Sequence, residues 1–397
     1  MINPVTHSHH QVRGYNADGK LIESDLTKYD TNNFAETGGE CINCHMPQTP
    51  YMQRHWRHDH GFTIPDPLLT RELGIPNACN RCHQDKSADW ALAATEKWYG
   101  TNMDQLLEAR RERTRAMAHA RRGDPGAVTP LLESLAEEPS PYWRAAIINQ
   151  LGPWLDRPDV QAILLNNLDD TNALVRNKAA QVLDATEYSL NSALVTALRT
   201  RLNDPIRSIR IAAAWSLRGE LDTNSQAGKD LIFFMAQNAD EPSGQMQMGE
   251  FWAGRNDLPH ALPYFQRGVA WDPNSAPFHR ELGLAYNLTG RNHEAVTQYK
   301  EAVRLAANNA EYHFELALTL NEACDRAGAT SELREAVRLQ PHFSRAWYNL
   351  GLTLADANDI AGALTALQSA EASDPGNPEI NAAISIVNSR GKQNVKP

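Results

Sequence analysis

GLAYNLTGRNHEAVTQYKEAVRLAANNAEYHFEL, residues 283–316, is one full period of the pattern that decides the fold. Its first residue, Gly283, has small counterparts at Gly249, Ala317 and Gly351. Alanines recur in the same way at 261, 295, 329 and 363, and larger side chains at Phe265, Tyr299, Leu333 and Leu367. Helix-ending prolines stand at Pro273, Pro341 and Pro375, with Ala307 in the second repeat. The interval is 34 residues throughout. Several residue types keep this register from about 245 to 391, which short-range chance does not produce.

This is the tetratricopeptide pattern at four successive units, each a pair of helices that buries its apolar face only against its neighbours. Pro378–Arg390 is expected to close the array as a capping helix. Upstream, from about 104 to 238, the helices are shorter. Three segments align: Trp143-Arg144-Ala145-Ala146 with Leu151, Val175-Arg176 with Ala179, Ala180 and Leu183, and Ile209-Arg210 with Ala213, Ala214 and Leu217. Their small alanine faces and spacing resemble HEAT-type repeats. Aspartates at 169, 170 and 204 are expected to cap the later helices.

Residues 1–100 read differently. They hold eight of the fourteen histidines and four of the five cysteines, punctuated by prolines at 47, 50, 65, 67 and 76. Apolar residues there lack a period, so a normal core is not expected. One helix is expected near Ser87–Tyr99. Two strings in this stretch, CINCH at Cys41–His45 and CNRCH at Cys79–His83, have the form C-x-x-C-H, the attachment pattern for haem c. Cys41, Cys44, Cys79 and Cys82 would make the thioethers, and His45 and His83 would be the proximal ligands. Two covalent haems c would then supply the core that the region otherwise lacks.

The far face of each iron sets the chemistry. A second histidine gives a closed iron suited to electron transfer, and an open face admits substrate. Candidates are His7, His9, His10, His55, His58 and His60. His60 ranks first, because Asp59 or a nearby carbonyl could orient its ring through the other nitrogen. His10 and His9 follow. Met46 comes directly after a proximal histidine, so it shares that side of the haem and is a poor axial candidate.

The strings SHH, CINCHMPQTPYM, RHDHGFTIPDP, IPNACNRCH and KWYG, followed by the two kinds of repeat, resemble the C-terminal part of a family of bacterial multihaem c-type cytochromes with helical-repeat tails. The resemblance covers nearly the whole chain. It implies that His60, and His9 or His10, are distal ligands. It also implies an export signal and further haem strings upstream, which this chain lacks. Together these readings give a mainly α protein, with a loop-rich dihaem cytochrome c region (1–103), HEAT-like repeats (104–240) and a tetratricopeptide array (241–397), the last two forming an α-solenoid.

The expected function is electron transfer by a multihaem c-type cytochrome whose repeats dock partners: redox proteins, further haem domains, or a peptide or protein at the repeat surface. It is expected to be a carrier rather than a catalyst. Two alternatives stand beside it. One is a subunit or fragment of a multihaem redox enzyme acting on small nitrogen or sulfur compounds. The other is a repeat scaffold whose four cysteines hold zinc. A formal charge of −10 argues against a nucleic-acid surface. No apolar run reaches the ~20 residues of a membrane span. Haem c attachment implies a periplasmic or other extracytoplasmic location. No export signal is visible, so the true beginning is expected to lie upstream of Met1. Six arginines within Arg110–Arg122 read as a solvated helix face. Cys324 reads as a small buried residue inside a helix.

Overall fold

The computed structural model describes residues 44–46, 48–51, 55–58, 64–184 and 190–393, which are mainly helical. The chain divides into two compact units, Met1–Trp154 and Leu155–Pro397.

Among the described residues of the first unit, β1 (Gln48–Tyr51) and β2 (His55–His58) form an antiparallel hairpin in which Gln48 pairs with His58. Six helices follow: α1 (Pro67–Leu73), α2 (Ala78–Cys82), α3 (Ala88–Tyr99), α4 (Thr101–Arg121), α5 (Val128–Glu137) and α6 (Pro141–Gln150). Their ends follow local rules. Pro67 begins α1, and Gly74 ends it in the left-handed region at φ 72°. The Ser87 hydroxyl accepts the Trp90 N–H and so caps α3, which starts one residue inside the expected span. Gly100, at φ 55°, turns the chain into α4.

The arginine-rich helix α4 is not simply a solvated face. Arg111 is buried, and its guanidinium grips Asp66 with two bonds of 2.8 and 2.9 Å and Asp104 with a third of 2.7 Å. Arg115 holds Glu72 on α1, and Arg113 holds Glu138 beyond α5. The expectation fails because charge runs expose their heads only where no acid lies opposite. Here Asp66, Glu72 and Glu138, each more than twenty residues away, do.

The second unit begins with α7 (Pro158–Leu168), α8 (Ala173–Val182), α9 (Ser192–Arg201), α10 (Arg207–Ser216) and α11 (Gln226–Gln237). Two aligned arginines do the same work one repeat apart. Arg176 donates to the carbonyls of Asp170 and Thr171 and to the Asp204 carboxylate. Arg210 donates to the carbonyls of Asp204 and Pro205 and to Asp230. Each ties the loop before its own helix to an acid of the next repeat. The cap position of α10 is Ile206, but the Asp204 carboxylate accepts its N–H at 3.0 Å, so Asp204 stands at the helix start as expected. Its side chain is buried, and a buried carboxylate needs charged partners, which Arg176 and Arg201 supply. The cap of α8 is Asn172.

Four helix pairs and a closing helix complete the unit: α12 (Pro242–Ala253) with α13 (Leu258–Trp271), α14 (Ala276–Leu288) with α15 (Asn292–Leu305), α16 (Ala310–Glu322) with α17 (Arg326–Leu339), α18 (Ser344–Asp356) with α19 (Ile360–Ser373), then α20 (Pro378–Gln393). The small residues face the large ones inside each pair. A β-carbon on Gly249 would lie 2.6 Å from the Phe265 ring, and one on Gly351 2.6 Å from Leu367. Neighbouring pairs are stitched at the same period. Asn287 donates to Thr319 and Asn321 to Thr353, each at 3.1 Å. Arg280 grips Glu315 and Arg345 reaches Glu311.

The turn inside each pair corrects the expectation for Cys324. It is exposed, not buried, and lies in the turn between α16 and α17 with φ 65°. Gly290 and Asn358, one period away on either side, and Asn256, two periods upstream, take the same left-handed conformation. The 34-residue register already aligned Cys324 with Gly290, so the signal was present in the sequence.

Candidate functional site

The second cysteine string folds as α2, a single short helix. Cys79 and Cys82, three residues apart, lie on one side of such a turn. His83 leaves the helix at its C-terminus, its N–H bonded to the Cys79 carbonyl at 2.9 Å. Its ring sits 4.8 Å from the Trp90 ring, tilted by 55°. Cys79 is half-buried and Cys82 exposed, and both are free thiols. Burial pushes the Cys79 thiol up.

Two asparagines brace this helix, and sequence reasoning gave them no role. The Asn77 carbonyl oxygen caps the Asn80 N–H at 3.1 Å, and its amide donates to Thr70 on α1 at 2.7 Å. The Asn80 amide, inside the string itself, donates to the carbonyls of Lys86 and Ser87 at 2.8 and 3.2 Å. The string is thus clamped between α1 and the cap of α3. An asparagine two residues before a cysteine string is the cap signal that could have pointed there.

Of the first string, Cys44 and His45 are described, and both are half-buried. Cys41 lies outside the described residues, as do His7, His9, His10 and His60. Burial pushes the Tyr99 hydroxyl up, and the nearby Cys44 and Cys79 thiols add to the shift. Tyr99 therefore lies within electrostatic range of a cysteine from each string. His58, at the end of β2, places its Nδ1 2.6 Å from the Met46 carbonyl oxygen. Among the described residues, no group of three or more His, Cys, Asp or Glu side chains is placed to hold a metal ion.

The residues fit covalent haem at the second string. Two thiols share one turn, and the adjoining histidine is released from the helix with its ring braced by Trp90. That donor set is what thioether attachment with a proximal histidine requires.

In the second unit, a cavity of about 630 Å³ is lined by Arg218, Glu220, Glu250 and Glu281 together with Leu258 and Leu284. Arg218 is buried and bonds Asp184 at 2.5 Å. Among the described residues, no helix is long and apolar enough to cross a membrane.

Comparison with known families identifies the repeats. Residues 104–184 match HEAT repeats, 283–322 match the TPR repeat, and 314–378 match the tetratricopeptide repeat. No curated protein matches the chain. Solved structures similar to it include the MamA protein, at 21% identity over 38% of this chain and 82% of that one, with a TM-score of 0.37. MamA residues 41 to the end, from Desulfovibrio magneticus RS-1, give 21% identity over 38% and 86%, with a TM-score of 0.37. YrrB, a TPR protein with an unusual peptide-binding site, gives 19% over 41% and 83%, with a TM-score of 0.37. The chain carries a TPR and HEAT helical-repeat scaffold, an architecture suited to protein–protein interaction.

Proposed function

We propose that this chain is an electron-transfer c-type cytochrome of the multihaem class, carrying two covalent haems c and a helical-repeat arm that docks its redox partners. Cys41 and Cys44 would hold one haem with His45 as proximal ligand, and Cys79 and Cys82 the other with His83. When bound, each haem supplies a one-electron iron couple. The protein supplies everything else. The Asn77 and Asn80 network fixes the second string against α1 and α3, which holds His83 in one orientation. Trp90 covers one side of that histidine ring. Tyr99 lies within electrostatic range of a cysteine from each string, which supports a short path between the two haems. The expected location is periplasmic or otherwise extracytoplasmic, where thioether attachment takes place.

The observation that carries this reading is the pair of C-x-x-C-H strings, the second folded as a one-turn helix that ends on its histidine. The test is maturation of the chain in an exporting host with a haem-ligation system, followed by a haem stain after denaturation and a pyridine haemochromogen assay. Two haems per chain, surviving denaturation, are expected. Colourless protein that carries stoichiometric zinc would overturn the proposal. A ferric spectrum that is low-spin and indifferent to added small ligands identifies a carrier rather than a catalyst.

A further inference from the structure

We propose that the cavity where the HEAT-like helices meet the tetratricopeptide array is a docking site for an extended, basic segment of a partner protein, one that presents lysine or arginine beside an apolar side chain. This rests on the docking half of the reading above and makes no use of the haems. At about 630 Å³ the cavity has the size of a specific ligand pocket, about 300–1,000 Å³. The charged side chains that line it are Glu220, Glu250, Glu281 and Arg218. They come from the turn after α10, from α12 and from α14, so the packing of three elements gathers them. The guanidinium of Arg218 is buried and already bonded to Asp184, outside the lining. Arg199 bonds Glu220 from an exposed position, and Arg280 bonds Glu281 while gripping Glu315 as well. Arg255 is turned to the carbonyls of Arg218 and Leu221. The lining therefore carries an excess of carboxylate, which attracts a cationic partner and repels an acidic one.

The fold does not ask for this charge. Glu250 directly follows the small residue Gly249, and the residues at the same place in the next three repeats are Leu284, Leu318 and Leu352. All four are half-buried. Where the array's own register gives leucine three times, the repeat beside the cavity has a carboxylate. The apolar part of the lining settles what kind of cation fits. Leu284 lines the cavity, and so does Leu288, which is 61% exposed. A small hydrophilic cation would satisfy the glutamates and leave both leucines in water. A peptide covers both. The aliphatic stem of lysine or arginine lies along apolar surface while its head reaches a carboxylate, and a neighbouring apolar residue covers the second leucine. An apolar lining with a few placed polar groups is how specific pockets are built.

The test measures binding of fluorescein-labelled hexapeptides to the full-length chain by fluorescence anisotropy. One peptide has two lysines followed by two leucines between end glycines. A second has glutamates in place of the lysines, and a third has serines in place of the leucines. The lysine–leucine peptide should bind tightest, and more weakly as salt rises. Equal affinity for either of the other two would overturn the proposal. Glu250→Leu installs the residue that the other three repeats carry, so the fold should survive. Affinity should fall about tenfold, as the loss of one close charge pair implies. Glu250→Gln keeps the shape and should do the same, and unchanged affinity in both variants would overturn the site. Carbodiimide coupling of the lysine–leucine peptide to the wild-type chain, read by mass spectrometry, needs no variant. Coupling should fall on Glu220, Glu250 or Glu281. Coupling at Glu311 or Glu322 instead would overturn this site and leave the docking arm standing. Absence of binding by all three peptides would overturn this site and count against the docking reading as well.

Discussion

A cysteine at φ 65° is crowded by its own β-carbon, a cost of about 1 kcal/mol or more for a residue other than glycine or asparagine. Three of the four equivalent turns avoid that cost with Asn256, Gly290 and Asn358. Cys324→Gly should therefore raise stability by roughly 1 kcal/mol, less the entropy that glycine adds to the unfolded chain. The urea midpoint of the second unit measures it, and a fall would show that the left-handed assignment at 324 is mistaken. The reverse logic holds at the helix crossings. Gly351 meets Leu367 where a methyl group has no room, and Gly351→Ala should cost about 1–3 kcal/mol by overpacking in the same assay.

Between elements, polar groups repeat as faithfully as the apolar ones. His279, His313 and Trp347 each donate a ring N–H to the carbonyl of the turn before their helix, at Pro273, Ala307 and Pro341. His313 has a second partner, the Glu332 carboxylate at 2.6 Å, so both of its nitrogens face acceptors and the imidazolium is favoured. Its hydrogen bond to Glu332, against opposing desolvation, raises its pKa above 6.5. A raised folded value means that the added stability is complete below the unfolded value and is lost as pH rises through the folded one. Denaturant midpoints of the second unit should fall with pH above about 6.5. In His313→Gln this pH dependence should shrink, and an undiminished slope would place the titrating group elsewhere. In the first unit, Asp66→Ala would leave Arg111 buried with only Asp104, which should cost about 3 kcal/mol in thermal unfolding. Replacing both Asp66 and Arg111 by apolar residues should cost much less, because no charge is then stranded.

At the scale of the whole molecule, the two compact units make a direct prediction. Residues 155–397, expressed alone, should give a helical protein with one cooperative unfolding transition, measured by circular dichroism against denaturant. A broad, non-cooperative loss of ellipticity would mean that the unit needs the remainder of the chain. Sequence alone determined the helix pairs, their period and the recurring small and large positions, because a repeat writes each of them several times and at a fixed interval. It also displayed the two C-x-x-C-H strings on which the haem proposal rests, since their residues are neighbours in the chain. Only the tertiary structure decided what lies opposite them. Asp66 finds Arg111, Asp204 finds Arg176, and His58 finds the Met46 carbonyl. Those pairings join residues that share no period and no motif. They are set by which charges and lone pairs become buried together once the helices pack, and no spacing along the chain encodes that.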